Sequence, residues 1–212
     1  MTYLLIPGGG GDPWDWHLVA DRLRAHGHEV LSPRLPYDDA RADLAAFERV
    51  LREAIGDRER VTVAAHSMGA FHAPLVADRA DALLLVAPMV PLPGVSAADW
   101  PGPTDDEAPD APFDLRETFL HDVSDELAAE AMTQWADGGE SEASFAEPWP
   151  LPAWPEVPTR ALIGARDRLF PESFQRRRIA QDLGVEPEVV DSGHMPMLSR
   201  PDDVTAWLLR PA

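Results

Sequence analysis

Residues Val61 to Gly69 read Val-Thr-Val-Ala-Ala-His-Ser-Met-Gly. An apolar, β-branched run leads into a serine flanked by small residues, and a helix-like stretch follows. This is the layout of a sharp strand-to-helix turn that presents a serine at the top of a sheet. Such a turn supplies backbone N–H groups for a developing oxyanion, because Ser67 sits at a helix N-terminus and the Met68 N–H has no partner within the helix. The pattern is Ala-x-Ser-x-Gly, with Ala65 where a glycine is usual. An ordinary βα turn capped by a serine would read the same way locally, so the rest of the chain has to decide.

Strands alternate with helices on both sides of this turn. Tyr3–Ile6, Glu29–Ser32, Val61–Ala65, Ala82–Ala87, Arg160–Gly164 and Glu188–Asp191 read as strands. Between them, Trp14–His26, Arg41–Ile55, the stretch from Ser67 to Ala77, Glu172–Leu183 and Pro201–Leu209 read as helices. The expected fold is therefore α/β, a sheet of about six mostly parallel strands with helices on both faces. Residues 88–158 break the rhythm. They are rich in Pro, Asp, Glu and Trp, hold one good helix from Ser124 to Ala136, and read as an insertion after the fourth strand.

Composition limits the partners. The 212 residues suit one domain with a large insertion, and the formal net charge of -19 argues against nucleic acid and anionic membranes. All 18 basic residues are Arg, which fits a GC-rich genome. The acidic surplus is concentrated between Asp99 and Glu147, where Arg116 is the one basic residue. There are no cysteines. No apolar run is of membrane-spanning length, and the N-terminal stretch lacks the basic region of a signal peptide. A cytoplasmic protein, monomeric or homodimeric, is the expectation. No cluster of His, Asp or Glu has metal-ligand spacing, and no cofactor is expected.

In a parallel sheet, functional groups gather at the carboxyl ends of the strands. Those ends carry Gly8-Gly9-Gly10-Gly11, then Ser67, then Asp167, then His194. A serine, an acid and a histidine thus follow in that order, each after a strand. His194 would take the Ser67 proton, Asp167 would hold the imidazole, and the Gly9 and Met68 N–H groups would bind the oxyanion. Three other readings stay open. His194 could be a turn histidine, Asp167 could belong to a surface ion pair with Arg166 or Arg168, and the glycine run resembles a phosphate loop. That last reading lacks a following Gly-Lys-Ser/Thr. The other six histidines read as structural or surface residues.

With these residues in hand, the chain resembles the α/β-hydrolases, in the group that holds plant methyl-ester esterases and hydroxynitrile lyases and many actinobacterial relatives. The resemblance spans nearly the whole chain. It is carried by Ile6 through Trp16, by Ala65-His66-Ser67-Met68-Gly69, and by Gly193-His194-Met195-Pro196-Met197-Leu198-Ser199-Arg200-Pro201. Lyases of this group carry a threonine where this chain has Gly8 and a lysine where it has Met195, so the resemblance implies ester hydrolysis. Pro7 and Ala65 depart from the group's histidine and glycine, which leaves the oxyanion N–H open between Gly9 and Gly10.

The resemblance also divides the chain into a hydrolase core, residues 1–87 and 159–212, and an acidic cap, residues 88–158. Met89, Trp100, Phe119, Met132, Trp135, Met195 and Met197 are then candidates for the substrate pocket, with packing inside the cap as the plain alternative for each. The expected activity is that of a serine hydrolase, a carboxylesterase cleaving a small, largely apolar ester through an acyl-enzyme on Ser67. Two other functions fit the same residues. One is a ligand receptor that docks a partner through the cap. The other is a lactone or C–C bond hydrolase, or a cyclase, in a biosynthetic pathway.

Overall fold

The computed structural model describes residues 1–104, 107, 113–136, 139 and 141–211. Six strands form one sheet: β1 (Thr2–Ile6), β2 (Glu29–Leu31), β3 (Val61–His66), β4 (Ala80–Val86), β5 (Thr159–Gly164) and β6 (Glu188–Val190). Their order is β2-β1-β3-β4-β5-β6, and every neighbouring pair is parallel. The fold expected from the alternation of elements is the fold observed. The order reverses between β1 and β3, so the two central loops of the sheet diverge there and leave a crevice at their carboxyl ends.

Register brings those ends level. Ile6 pairs with Ala65, His66 with Val86, Val86 with Leu162, and Gly164 with Val190. The residues that leave each strand therefore start from one edge.

Alternation along β1 splits the core in two. Leu4 and Ile6 face one side, where they join Phe47 and Leu51 of α2 (Leu44–Ile55), Ala70 and Phe71 of α3 (Gly69–His72), and Phe174 and Ile179 of α7 (Glu172–Leu183). Tyr3 and Leu5 face the other, with Val19 and Leu23 of α1 (His17–Ala25) and Val204 and Trp207 of α9 (Pro201–Leu208). A strand sends successive side chains to opposite faces, so a chain buried on both sides needs an unbroken apolar run. β3 comes close to that pattern: all six residues are buried, with Thr62 and His66 as its polar members. Each large apolar side chain so buried contributes about 1.5–3 kcal/mol.

Local chemistry sets the helix ends. The Asp43 side chain accepts the Ala46 N–H, so α2 starts later than the apolar period suggests. Gly27, at φ +81°, lets the chain leave α1 in a left-handed conformation. The helix after Ser67 is shorter than expected. Pro74 has no N–H to donate, so α3 gives way to a tight 3-10 stretch, Ala73–Arg79.

The segment between β4 and β5 carries α4 (Leu115–Phe119), α5 (Asp125–Trp135) and α6 (Glu142–Ala146), and no strand among its described residues. It is anchored on both cores. Val90, Trp100 and Trp149 pack on one, Leu120, Val123, Ala128 and Ala131 on the other. The Trp149 indole N–H donates to the Phe71 carbonyl at 3.1 Å. A short helix, α8 (Pro196–Ser199), precedes α9.

One close backbone passage lies where α3 starts. A Cβ on Gly69 would sit 2.6 Å from the Pro7 carbonyl oxygen and 3.1 Å from Ile6. Both neighbours include backbone, so neither can swing aside. Gly69→Ala is expected to destabilise the fold by about 1–3 kcal/mol through overpacking, read as a lower urea midpoint. An unchanged midpoint would show that this approach is slack.

Candidate active site

Ser67 leaves β3 at φ +49°, a left-handed conformation rare for a side chain with a Cβ. Two backbone bonds hold it there. The Ser67 N–H donates to the Val86 carbonyl at 3.0 Å, and the Ser67 carbonyl accepts from the Met89 N–H at 3.1 Å. The turn lifts the hydroxyl above the sheet edge and starts α3 directly behind it.

Ser67, His194 and Asp167 form one hydrogen-bonded chain. The Ser67 Oγ lies 3.1 Å from His194 Nε2, and His194 Nδ1 lies 2.8 Å from Asp167 Oδ2. The His194 and Asp167 side chains are both fully enclosed. Asp167 Oδ1 accepts the Leu169 and Phe170 N–H groups at 2.8 and 2.9 Å, while Gln175 Nε2 donates to Oδ2 at 3.2 Å. The carboxylate is thus held on both oxygens. Arg166 and Arg168 do not pair with it. Arg166 bonds Asp191 and Arg168 bonds Glu117.

Phe119 and Phe170 stand edge-on to the His194 ring, at centroid distances of 5.1 and 5.2 Å. Between them they wall the imidazole in. The loops after β5 and β6 meet because Gly164 is bare. A Cβ there would fall 2.5 Å from the Gly193 oxygen and 2.6 Å from the Ser192 oxygen.

The segment between β4 and β5 fastens both loops from above. His121 Nε2 donates to the Arg166 carbonyl at 2.9 Å, and Asp122 Oδ2 accepts the Gly193 N–H at 2.7 Å. His121 and Asp122 together therefore tie down the loops on either side of the His194–Asp167 pair. No local pattern points to the His121 contact, which spans 45 residues.

A cavity of about 340 Å³ opens beside Ser67. Of the expected residues, Gly9, Gly10, Met68, Met89, Phe119, Trp135 and Met195 line it. Three do not reach its wall. Trp100 packs at steep angles against Phe170 and Phe174 and donates its indole N–H to the Val90 carbonyl at 2.7 Å. Met197 is fully buried in the core on the α9 face, and Met132 packs against that same core. Each is apolar at a position the sequence leaves ambiguous, and each is drawn to the sheet instead. Gly8, Gly11, Asp15, His66, Leu115 and Leu169 also line the cavity. Among the described residues no group of three His, Asp or Glu side chains could hold a metal ion.

Two of these lining residues explain local choices. His66 Nε2 donates to the His194 carbonyl at 2.9 Å, which fixes its tautomer and leaves Nδ1 buried without a partner. A Cβ on Gly8 would meet that Nδ1 at 2.9 Å and the Ser67 Cβ at 3.2 Å. A threonine at this position would therefore crowd both the histidine and the serine. Gly10, at φ +64°, supplies the left-handed step that turns the loop back.

A profile of the alpha/beta hydrolase family matches residues 3–207. The chain belongs to the alpha/beta hydrolase family. Among curated proteins, none matches it by sequence. Its fold superposes on an extracellular alpha/beta-hydrolase from a Paenibacillus species, itself described as sharing structural and functional homology with tobacco salicylic acid binding protein 2. The TM-score is 0.83 at 20% identity, over 99% of this chain and 98% of that one. Polyneuridine aldehyde esterase gives 0.77 at 18% identity, over 98% and 97%. A pyrethroid hydrolase from Sphingobium faniae JZ-2 gives 0.80 at 22% identity, over 98% and 95%. No helix among the described residues is long and apolar enough to cross a membrane.

Burial changes how the histidines behind Ser67 titrate. His66 is pushed well below its ordinary value, first by burial and then by the neighbouring His194. His72, stacked on Phe47 and fully enclosed, is lowered by burial to about 3. Both stay neutral in the folded chain while the unfolded chain takes up a proton near pH 6.5. Stability is then lost as pH falls from about 6.5 toward the folded value, by up to about 1.4 kcal/mol per pH unit for each group. Asp15 acts in the opposite sense. Its raised value makes the folded chain the better proton acceptor between roughly pH 4 and 7. The comparison with His72→Gln isolates the histidine. Urea unfolding between pH 7 and 5 should show a flatter pH dependence in the variant, and parallel curves would show that His72 is protonated in the fold.

Proposed function

We propose that the chain is a serine hydrolase, a carboxylesterase acting on small esters through an acyl-enzyme on Ser67. The observation that carries this reading is the continuous chain from Ser67 Oγ to His194 Nε2 and from His194 Nδ1 to Asp167 Oδ2, at 3.1 and 2.8 Å. A serine hydroxyl is a weak nucleophile on its own and needs a base within hydrogen-bond reach.

In the proposed reaction, Ser67 Oγ attacks the ester carbonyl while His194 Nε2 takes its proton. Asp167 keeps the proton on Nδ1 and stabilises the imidazolium that forms. The tetrahedral oxyanion accepts hydrogen bonds from the Met68 N–H and from the Gly9 N–H, with Gly10 as the other donor the loop offers. Its collapse expels the alcohol, which takes the proton from His194. Water then repeats the sequence on the acyl-enzyme: His194 accepts its proton, the hydroxide oxygen adds to the carbonyl, and Ser67 Oγ leaves with that proton. The bare Gly8 and the thioether of Met195 offer neither the hydroxyl nor the ammonium that lyase chemistry uses, which favours hydrolysis. The segment between β4 and β5 would act as the cap, since Phe119 and Trp135 come from it. The enzyme would work in the cytoplasm.

Ser67→Ala or His194→Ala should lower kcat on a short-chain aryl ester by roughly 10⁴–10⁶, and Asp167→Asn by roughly 10⁴. Intact mass after treatment with a fluorophosphonate should show one adduct on the native chain and none on Ser67→Ala. A folded native chain that takes no adduct would turn the reading toward a ligand receptor. Activity within tenfold of native in Ser67→Ala would remove that residue from the mechanism.

A further inference from the structure

The cavity beside Ser67 contains a carboxyl group that the proposed ester chemistry does not use. Asp15 lies on the turn Pro13–Trp16 that follows the glycine loop. It is 2% exposed and forms part of the cavity wall. Its Oδ1 accepts the Trp135 indole N–H at 2.8 Å, a bond between the glycine-loop side and α5. Its Oδ2 lies beside Gly11, where a Cβ would come within 2.6 Å. The bare glycine makes room for the carboxyl against the loop.

A structural role does not account for a carboxyl here. The bond to Trp135 needs only an oxygen, and an asparagine or glutamine would supply one without burying a charge. Burial of an unpaired carboxylate is costly. No arginine lines the cavity among the described residues. The nearest acid, Asp12, is itself bonded to Arg34 at 2.5 Å. Burial raises Asp15 to about 7, opposed by the Trp135 N–H and the Asp12 amide and reinforced by the Asp12 charge. The fold thus keeps an acid in the pocket and withholds its counter-charge.

We propose that Asp15 is the specificity-determining residue of this cavity, and that the ester it selects carries an ammonium group. This rests on the hydrolase reading for the word ester and on the cavity alone for the ammonium. Three observations point to a cation. The buried carboxyl has no positive partner among the described residues. Phe119 and Trp135 line the same cavity, in contact with each other at a centroid distance of 6.2 Å, and aromatic side chains in a pocket wall can hold a positive charge. The chain's net charge of -19 draws cations toward the molecule. A hydroxyl could bond the same oxygen but would leave its charge unmatched, whereas a cation within about 4–6 Å favours the ionised form.

The test uses two esters of one shape: 2-(trimethylammonio)ethyl acetate, whose charge does not titrate, and 3,3-dimethylbutyl acetate, its neutral carbon counterpart. Native protein at pH 8 should prefer the charged ester in kcat/KM by about tenfold or more. The preference should shrink toward one as the pH falls through about 7, where Asp15 takes up a proton. Both esters pass through the same proposed catalytic steps, so the ratio isolates the subsite. Asp15→Asn should bring the ratio to about one at every pH. Trp135→Phe keeps the carboxyl but removes its N–H donor, and should move the midpoint of the preference to higher pH. A native ratio of one or less would overturn the proposal, as would an Asp15→Asn variant that slows both esters alike and keeps the ratio. Should neither ester turn over, calorimetric binding of the same two esters separates the readings. Tighter binding of the charged one, lost in Asp15→Asn, would keep the cation subsite and remove the hydrolase reading. Equal binding would overturn the subsite.

Discussion

The backbone turn at Ser67 is the constraint on which the rest of the site depends. A residue with a Cβ at φ +49° is unfavourable by itself. It persists because the surroundings leave no alternative. The Ser67 N–H and carbonyl are both bonded to the chain leaving β4. Gly69 presses its α-carbon against the Pro7 carbonyl. β3 behind it is buried throughout and cannot shift. The strain is therefore held by the sheet, and the sheet in turn places the glycine loop over the serine. The glycine loop also lies against Met68, whose Sδ would be 3.3 Å from a Cβ on Gly9.

Much of this was legible in the sequence because it depends on short-range patterns. Apolar runs marked the strands, and the alternation with helices fixed a parallel sheet. A parallel sheet in level register then brings Ser67, Asp167 and His194 to one edge without any knowledge of side-chain contacts. The boundaries that slipped have local causes, such as the Asp43 cap and the missing N–H of Pro74. Long-range packing was less legible. Trp100 and Met197 are apolar residues near the site in sequence, yet each turns toward the sheet. Periodicity cannot say which of two apolar surfaces a side chain will choose. Asp15 was hidden for the opposite reason. An acid in a short turn normally reads as solvated, and its place between Trp14 and the fully buried Trp16 was the one signal that it faces inward.

The segment between β4 and β5 has two connected roles. Its His121 and Asp122 bond the loops that carry Asp167 and His194, while Phe119 packs on the imidazole itself. The proposed chemistry and the pocket proposed to receive the ester are then not separable parts. A substitution in this segment that moves Phe119 would alter both the enclosure of His194 and the cavity wall. Enclosure matters for the proposed general base, because a water-free environment strengthens each electrostatic contact around it.

Asp15 extends this coupling to the choice of substrate. A pocket with wholly apolar walls would sort esters by size and shape alone, and an added methylene changes such binding by only about 1–3 kcal/mol. A buried carboxyl adds a different criterion, because an unmatched charge is penalised far more than a poor fit. The carboxyl also bonds Trp135, a residue of the same segment that supplies Phe119. A cation that reaches Asp15 would be gripped between the glycine-loop side and α5, with its ester carbonyl directed toward Ser67 by the shape of one continuous cavity. Selection by charge and positioning for attack would then follow from a single contact.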